Sequence, residues 1–231
     1  MDKEATLPRS IGVILDGNRR WAKSAGIPTL EGHRAGYGRA KEFIRWAFDL
    51  GIPYLTLYAF STENWKRETA EVGYLMDLLT WVLEHEIEEF NKEGARLLII
   101  GERERLSPKI QELIRRTEAR TASNTRGTVL LCISYGGRPE IINATRKLIK
   151  SGVTPENLSE EEFAKHLWTA GAPDPDMIIR TGGVMRLSNF LPWQSIYSEL
   201  FFTETLWPDF TKEEFLKILE EYAERERRFG K

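Results

Sequence analysis

A short apolar run with β-branched residues, Ile11-Gly-Val-Ile-Leu15, gives way at once to Asp16-Gly17-Asn18-Arg19-Arg20-Trp21. A carboxylate at such a position can hold a divalent cation, and two guanidinium groups beside a glycine can hold phosphate. An ordinary polar turn would also fit these six residues, so the weight falls on whether other segments repeat the pattern. They do. After the second apolar run comes Phe60-Ser61-Thr62-Glu63-Asn64-Trp65-Lys66-Arg67, which combines hydroxyl, amide and cation. Tyr135-Gly136-Gly137-Arg138 follows the fourth run, and Arg180-Thr181-Gly182-Gly183 with Arg186-Leu187-Ser188-Asn189 follows the fifth. Glycine lets backbone N–H groups approach an oxyanion, and arginine offers a forked donor matched to phosphate. With 33 Lys and Arg against 35 acidic residues and a formal charge of −2, these are local anion clusters. Such a balance argues against a general nucleic-acid-binding field. Two arginine groups so far apart in sequence suit two phosphate sites.

Something must bring these segments together. Strand-like runs fall at residues 11–15, 54–60, 96–100, 128–134, 177–179 and 199–203, and helix-period segments at 34–50, 71–93, 108–121, 138–150, 159–170 and 212–227. Strands alternating with helices predict one α/β domain built on a mostly parallel six-stranded sheet flanked by helices. In such a sheet ligands bind where strands run out and the next helix begins. The segment 71–93 is unusually broad in its apolar face: Val72, Leu75, Met76, Leu79, Val82, Leu83, Ile87 and Phe90 recur at spacings of three and four, widened by Leu78 and Trp81. It either packs on both the sheet and a partner chain or walls an apolar cleft for a lipid-like substrate.

Several chemistries are absent from the sequence. There is no P-loop, no dinucleotide-binding glycine motif and no nucleophile elbow. His33, His85 and His166 lack zinc-site spacing, and Cys132 is the one cysteine, so it forms no internal disulfide. No apolar run approaches the roughly 18 residues of a membrane span, and the first ten residues carry charges rather than a signal core, so a cytoplasmic protein is expected. His33, in Glu31-Gly32-His33-Arg34-Ala35-Gly36, is either a turn residue or a group for phosphate contact or proton transfer. Glu199, between aromatic and apolar neighbours, is either the partner of an arginine or a second metal ligand.

Eight motifs in order resemble the cis-prenyltransferase (undecaprenyl diphosphate synthase) family: Asp16-Gly-Asn-Arg-Arg-Trp-Ala22, Gly32-His-Arg-Ala-Gly36, residues 56–65, Tyr135-Gly-Gly-Arg138, Pro173-Asp-Pro-Asp176, Ile179-Arg-Thr-Gly-Gly183, Arg186-Leu-Ser-Asn-Phe190 and Trp207-Pro-Asp-Phe210. The closing Arg225-Glu-Arg-Arg-Phe-Gly230 fits as well. The resemblance implies a single catalytic domain over residues 1–231, with 1–9 flexible and an apolar substrate tunnel walled by segment 71–93. It implies Mg²⁺-dependent cis-condensation of isopentenyl diphosphate onto an allylic diphosphate, farnesyl or geranyl, to give a polyprenyl diphosphate. Carried over residue by residue, Asp16, Asn64 and His33 are catalytic. Gly17, Asn18, Arg19, Arg20, Trp21, Arg34, Ser61, Trp65, Arg67, Arg180, Arg186 and Ser188 bind substrate, and Asp16 and Glu199 hold the metal. A homodimer is implied, with a peripheral membrane contact for product release and no nucleic-acid partner. The departure is Val184, where the family usually writes a glutamate. It opens a second reading, a non-catalytic partner subunit of a two-component cis-prenyltransferase.

Overall fold

The computed structural model describes residues 7–225. Six strands form: β1 (Ser10–Ile14), β2 (Tyr54–Ser61), β3 (Ala95–Ile100), β4 (Gly127–Tyr135), β5 (Met177–Arg180) and β6 (Glu199–Phe202). Their order is β3-β4-β2-β1-β5-β6 and every pairing is parallel. Parallel strands are covered on both faces and so read as near-continuous apolar runs; all of β1 is buried. On one face Phe43, Phe48, Leu83, Ile114 and Phe215 join the core, and on the other Tyr58, Tyr135, Phe190 and Cys132 form a smaller cluster.

Because all strands point the same way, their C-terminal ends share one rim. β1 lies between β2 and β5, so its exit and that of β5 leave in opposite directions. That divergence is the topological switch at which open α/β sheets bind ligands. The rim is shaped further by two register slips. Tyr58 pairs with Cys132, Phe60 with Ile133 and Ser61 with Tyr135, leaving Ala59 extra on β2 and Ser134 extra on β4. Ser134 takes a left-handed φ of 51°. Bulges of this kind re-aim side chains beside functional sites.

The helices are α1 (Asn18–Ser24), α2 (Thr29–Asp49), α3 (Thr69–His85), α4 (Ile87–Lys92), α5 (Pro108–Thr121), α6 (Gly137–Ser151), α7 (Glu160–Ala164) and α8 (Lys212–Glu224). Four differ from the sequence expectation. α1 lies outside the predicted helix-period segments, since a single apolar position pair, Trp21 and Ala22, interrupts its polar run. α2 begins five residues early because Gly32 and Gly36 lower helix propensity, yet both are needed: a Cβ on either would lie 2.3 Å from Asn18 atoms. The broad segment 71–93 is two helices, broken where Glu86 leaves helical geometry (φ −102°, ψ 0°). The segment 159–170 is helical only to Ala164; beyond it the Trp168 N–H donates to the buried Glu140 carboxylate at 2.9 Å instead of continuing a helix.

Of the stretch 1–9 expected to be flexible, residues 1–6 lie outside the described residues. Arg9 is held: its N–H donates to Asp176 Oδ2 at 2.7 Å and its carbonyl accepts from Tyr54 at 3.2 Å. Residues 226–231, with the end of the predicted last helix and most of the closing motif, also lie outside the described residues.

Candidate active site

Asp16 stands two residues past the end of β1, and its carboxylate joins two segments far apart in sequence. Oδ1 accepts from Arg20 of α1 at 3.0 Å, and Oδ2 accepts from Arg180 at the end of β5 at 2.9 Å. Arg180 is buried, donates through its other terminal nitrogen to Ser188 Oγ at 2.8 Å and to the Arg186 carbonyl, and leaves its Nε–H without a partner. Arg20 also donates to the Gly182 carbonyl at 2.6 Å. The Asp16 carbonyl is fixed in turn by the Thr181 hydroxyl (2.7 Å) and the Trp207 N–H (3.0 Å). Positive φ values at Ser188 (49°), Asn189 (68°) and Leu191 (48°) put backbone strain in the loop that presents Ser188. Non-glycine residues hold such geometry only where their surroundings impose it, and such sites gather at ligand clamps.

A second cluster surrounds Glu71, in the first turn of α3, a residue that none of the sequence motifs singles out. Its buried carboxylate accepts from Arg67 at 2.8 Å, contacts His33 Nε2 at 3.1 Å and lies 3.7 Å from Arg19 Nε. Burial alone would raise the Glu71 pKa, but the His33 hydrogen bond and the Arg67 and Arg19 charges outweigh it and hold the group below the usual carboxylate range. His33 is lowered, because burial disfavours its cation more than Glu71 favours it. The spacing Arg67–Glu71, an i, i+4 pair, is the sequence signal that was available.

Between these clusters runs a polar cleft. One part is lined by Asp16, Ser61, Asn64, Arg67, Arg180 and Ser188, and the adjoining part by Asp16, Gly17, Arg19, Arg20, His33 and Arg67. Beneath it lies an apolar cavity of about 140 Å³ between α2, α3 and the sheet, lined by Ile44, Leu57, Leu75, Met76, Val82 and Phe90 among others. Leu15 and Ala59 line all three, so the apolar space opens at the rim of the polar one. The breadth of α3 is thereby explained. Leu79, Val82 and Leu83 are buried in the core, and Leu75, Met76 and Leu78 face the cavity. Of the α3 side chains, Trp81 is 45% exposed.

Not every predicted residue reaches the cleft. Glu199 begins β6, level with Met177 and Ile11 at the opposite rim, and pairs with Arg225 at 2.6 Å. It sits about 10 Å below the strand ends and two strands across from β1, so one chain does not bring it to Asp16. The arginine-partner reading is the one observed. Trp65 turns inward, donating to Ser134 Oγ at 2.9 Å and packing edge-on against Phe60. Trp21 donates to Asp209 at 2.7 Å and so ties α1 to the Trp207–Asp209 turn. Ser61 and Asn64 cap one another across the short helical turn after β2. Arg34 and Arg186 are exposed and make no ion pair among the described residues.

The chain matches the family model described as putative undecaprenyl diphosphate synthase over residues 14–230. It belongs to this family of cis-prenyltransferases. As a cis-prenyltransferase it is an enzyme of a family that acts on isoprenoid diphosphates. Among curated relatives, an isoprenyl transferase of Thermotoga maritima is 46% identical over 226 residues, 97% of each chain, and one of Listeria innocua is 45% identical, covering 99% of this chain and 92% of the relative. Among solved structures, lavandulyl diphosphate synthase from Lavandula x intermedia in complex with dimethylallyl diphosphate superposes with a TM-score of 0.93 at 35% identity, covering 99% of this chain and 100% of that one. A probable undecaprenyl diphosphate synthase from Campylobacter jejuni gives 0.83 at 37% identity, covering 98% and 100%. Among the described residues of this prenyltransferase no helix is long and apolar enough to cross a membrane.

Proposed function

We propose that the chain lengthens an allylic diphosphate, farnesyl or geranyl, by cis-condensation with isopentenyl diphosphate. The observation that carries this reading is the opening of the apolar cavity directly onto a cleft lined by Asp16, Arg20, Arg67 and Arg180. A substrate with a charged head and a hydrocarbon tail needs both. In the reaction the allylic C–O bond breaks and its electron pair leaves with the diphosphate. The isopentenyl double bond forms the new C–C bond, and a proton leaves the isopentenyl unit to give a cis double bond. Arg19, Arg20, Asn18, Gly17, His33 and the nearby Arg34 hold the leaving diphosphate; Arg180, Arg186 and Ser188 hold the other. Fixed guanidinium donors stabilise the charge that develops on the leaving group. Asn64 and Ser61 order the turn above the reacting carbons.

The donors fit Mg²⁺. Among the described residues no group of three or more metal-ligating side chains exists, and Mg²⁺ commonly takes one or two carboxylates with substrate phosphates and water. Asp16 would hold it, and it would neutralise leaving-group charge there. Glu199 has no part in this assignment. The reading extends to a cytoplasmic homodimer that meets the membrane peripherally as product leaves.

Val184 favours the second reading, a non-catalytic partner subunit. Against it, the structure sets another carboxylate beside the same loop: a side chain at Gly183 would collide with Glu204 at 2.3 Å. The test is purified chain with Mg²⁺, labelled isopentenyl diphosphate and dimethylallyl, geranyl or farnesyl diphosphate. A longer polyprenyl diphosphate is expected. No turnover with any primer across a Mg²⁺ series would overturn the reading and favour the partner subunit.

A further inference from the structure

Glu71 has no part in the steps above, yet it is 8% exposed and gathers groups from three elements. His33 comes from α2, Arg19 from α1, and Arg67 from the segment between β2 and α3. A buried carboxylate is tolerated only when paired and hydrogen-bonded. Here the partners are groups that line the polar cleft. An ionised carboxylate only accepts hydrogen bonds, so the contact at 3.1 Å fixes the proton of neutral His33 on Nε2. Nδ1 is left as an acceptor, and it makes no hydrogen bond to the described residues. The His33 ring lines the polar cleft as well as the apolar cavity, and an acceptor nitrogen turned to a diphosphate opposes that ligand. The same nitrogen protonated would donate to it.

We propose that Glu71 is a positioning residue: it clamps Nε2 of His33 so that the ring takes up a proton at Nδ1 when a diphosphate enters the cleft between Arg19, Arg20 and Arg67. This rests on the proposed function, since that reading supplies the diphosphate. The charged groups facing His33 are Glu71, Arg67 and Arg19. In the free protein, burial lowers the pKa of the ring and the Arg67 and Arg19 guanidinium groups push the same way, against the pull of Glu71. A bound diphosphate shifts that balance. The proton comes from solvent, and no covalent bond changes. Glu71 remains ionised and shares the imidazolium with the ligand, as a third group orients a base in other sites. By linkage, binding that takes up a proton weakens as pH rises.

The experiment is calorimetric titration of inorganic pyrophosphate into the full chain, at about pH 7.5, in buffers of different ionisation heat. The ligand's own protons cancel when variants are compared. Wild type is expected to take up about half a proton or more beyond His33→Asn. Glu71→Gln is expected to lose that excess and Glu71→Asp to recover part of it, while a merely structural role would lower the melting temperature and leave the excess unchanged. Equal uptake in wild type and His33→Asn overturns the proposal, as does an excess retained in Glu71→Gln. Should Glu71→Gln not fold, ring ¹⁵N shifts of His33 in wild type decide: an Nε2–H tautomer that becomes doubly protonated with pyrophosphate supports the proposal, and an unchanged ring overturns it. Wild type that elongates primers without excess uptake sinks this inference alone. Wild type that neither binds pyrophosphate nor elongates sinks the functional reading with it.

Discussion

Asp16 spends both carboxylate oxygens on arginines, one from each side of the switch point. Removing it takes away the one carboxylate common to both parts of the cleft and leaves Arg180 buried without its anion. Asp16→Ala is expected to keep the fold, because the site is on the rim, and to lower kcat/KM by about 10²–10³-fold; initial rates with a circular dichroism melt check both halves. His33 gives a pH signature. Its folded-state pKa lies below the ordinary 6.5, so the unfolded chain binds more protons and stability falls as pH drops through that region. Glu71 is lowered from 4.5, and its contribution is present above that value and lost below it. Urea midpoints at about pH 7.5 and pH 5.5 should therefore converge in His33→Asn relative to wild type. Asp16, Arg20, Arg180 and Ser188 were legible because several strand ends repeat the same anion-binding chemistry and because their motifs match the family. Glu71 was not, because an acid in the first turn of a helix is what the helix dipole alone favours.

At the scale of elements, α1 packs on α2 through two glycines, and that contact sets where Asn18 and His33 stand. A Cβ at Gly36 would lie 2.3 Å from Asn18 Oδ1, whereas one at Gly38 meets nothing within 4 Å. Gly36→Ala is expected to cost about 1–3 kcal/mol and to raise the KM for the allylic substrate. Gly38→Ala should be neutral or stabilise by about 0.5–1 kcal/mol; denaturant unfolding and substrate titration of the pair separate packing from propensity. The strands were readable because double-sided burial demands runs of Val, Ile and Leu. Helix α5 has the bounds predicted for it, 108–121, and Ser107 caps it by accepting from the Ile110 N–H. Helix α1, the break at Glu86 and the early end of α7 were not, since each depends on a tertiary partner: Leu206 against Gly17, Lys41 on Glu86 at 2.7 Å, and Glu140 on the Trp168 N–H.

Across the whole molecule, a wholly parallel sheet separates two rims, and Glu199 with Arg225 occupies the one away from Asp16. An ion pair this exposed contributes about 0–1 kcal/mol, so Glu199→Gln should leave stability and Mg²⁺ dependence nearly unchanged; a raised Mg²⁺ requirement in rate assays would show instead that the carboxylate reaches a site across a subunit boundary. Large apolar side chains stand exposed at Trp81 on α3 (45%) and at Ile149 and Ile196 (75% each). The paired bulges at Ala59 and Ser134 carry a consequence for how such a chain can change length. Deleting either residue alone slips Ser61 against Tyr135 and turns the following segment to the wrong face. Deleting both restores an unbroken register. A length change at one bulge is therefore expected to be tolerated only with its counterpart on the neighbouring strand, whereas the turn after Ser61 lies past the last paired residue and is free of that constraint.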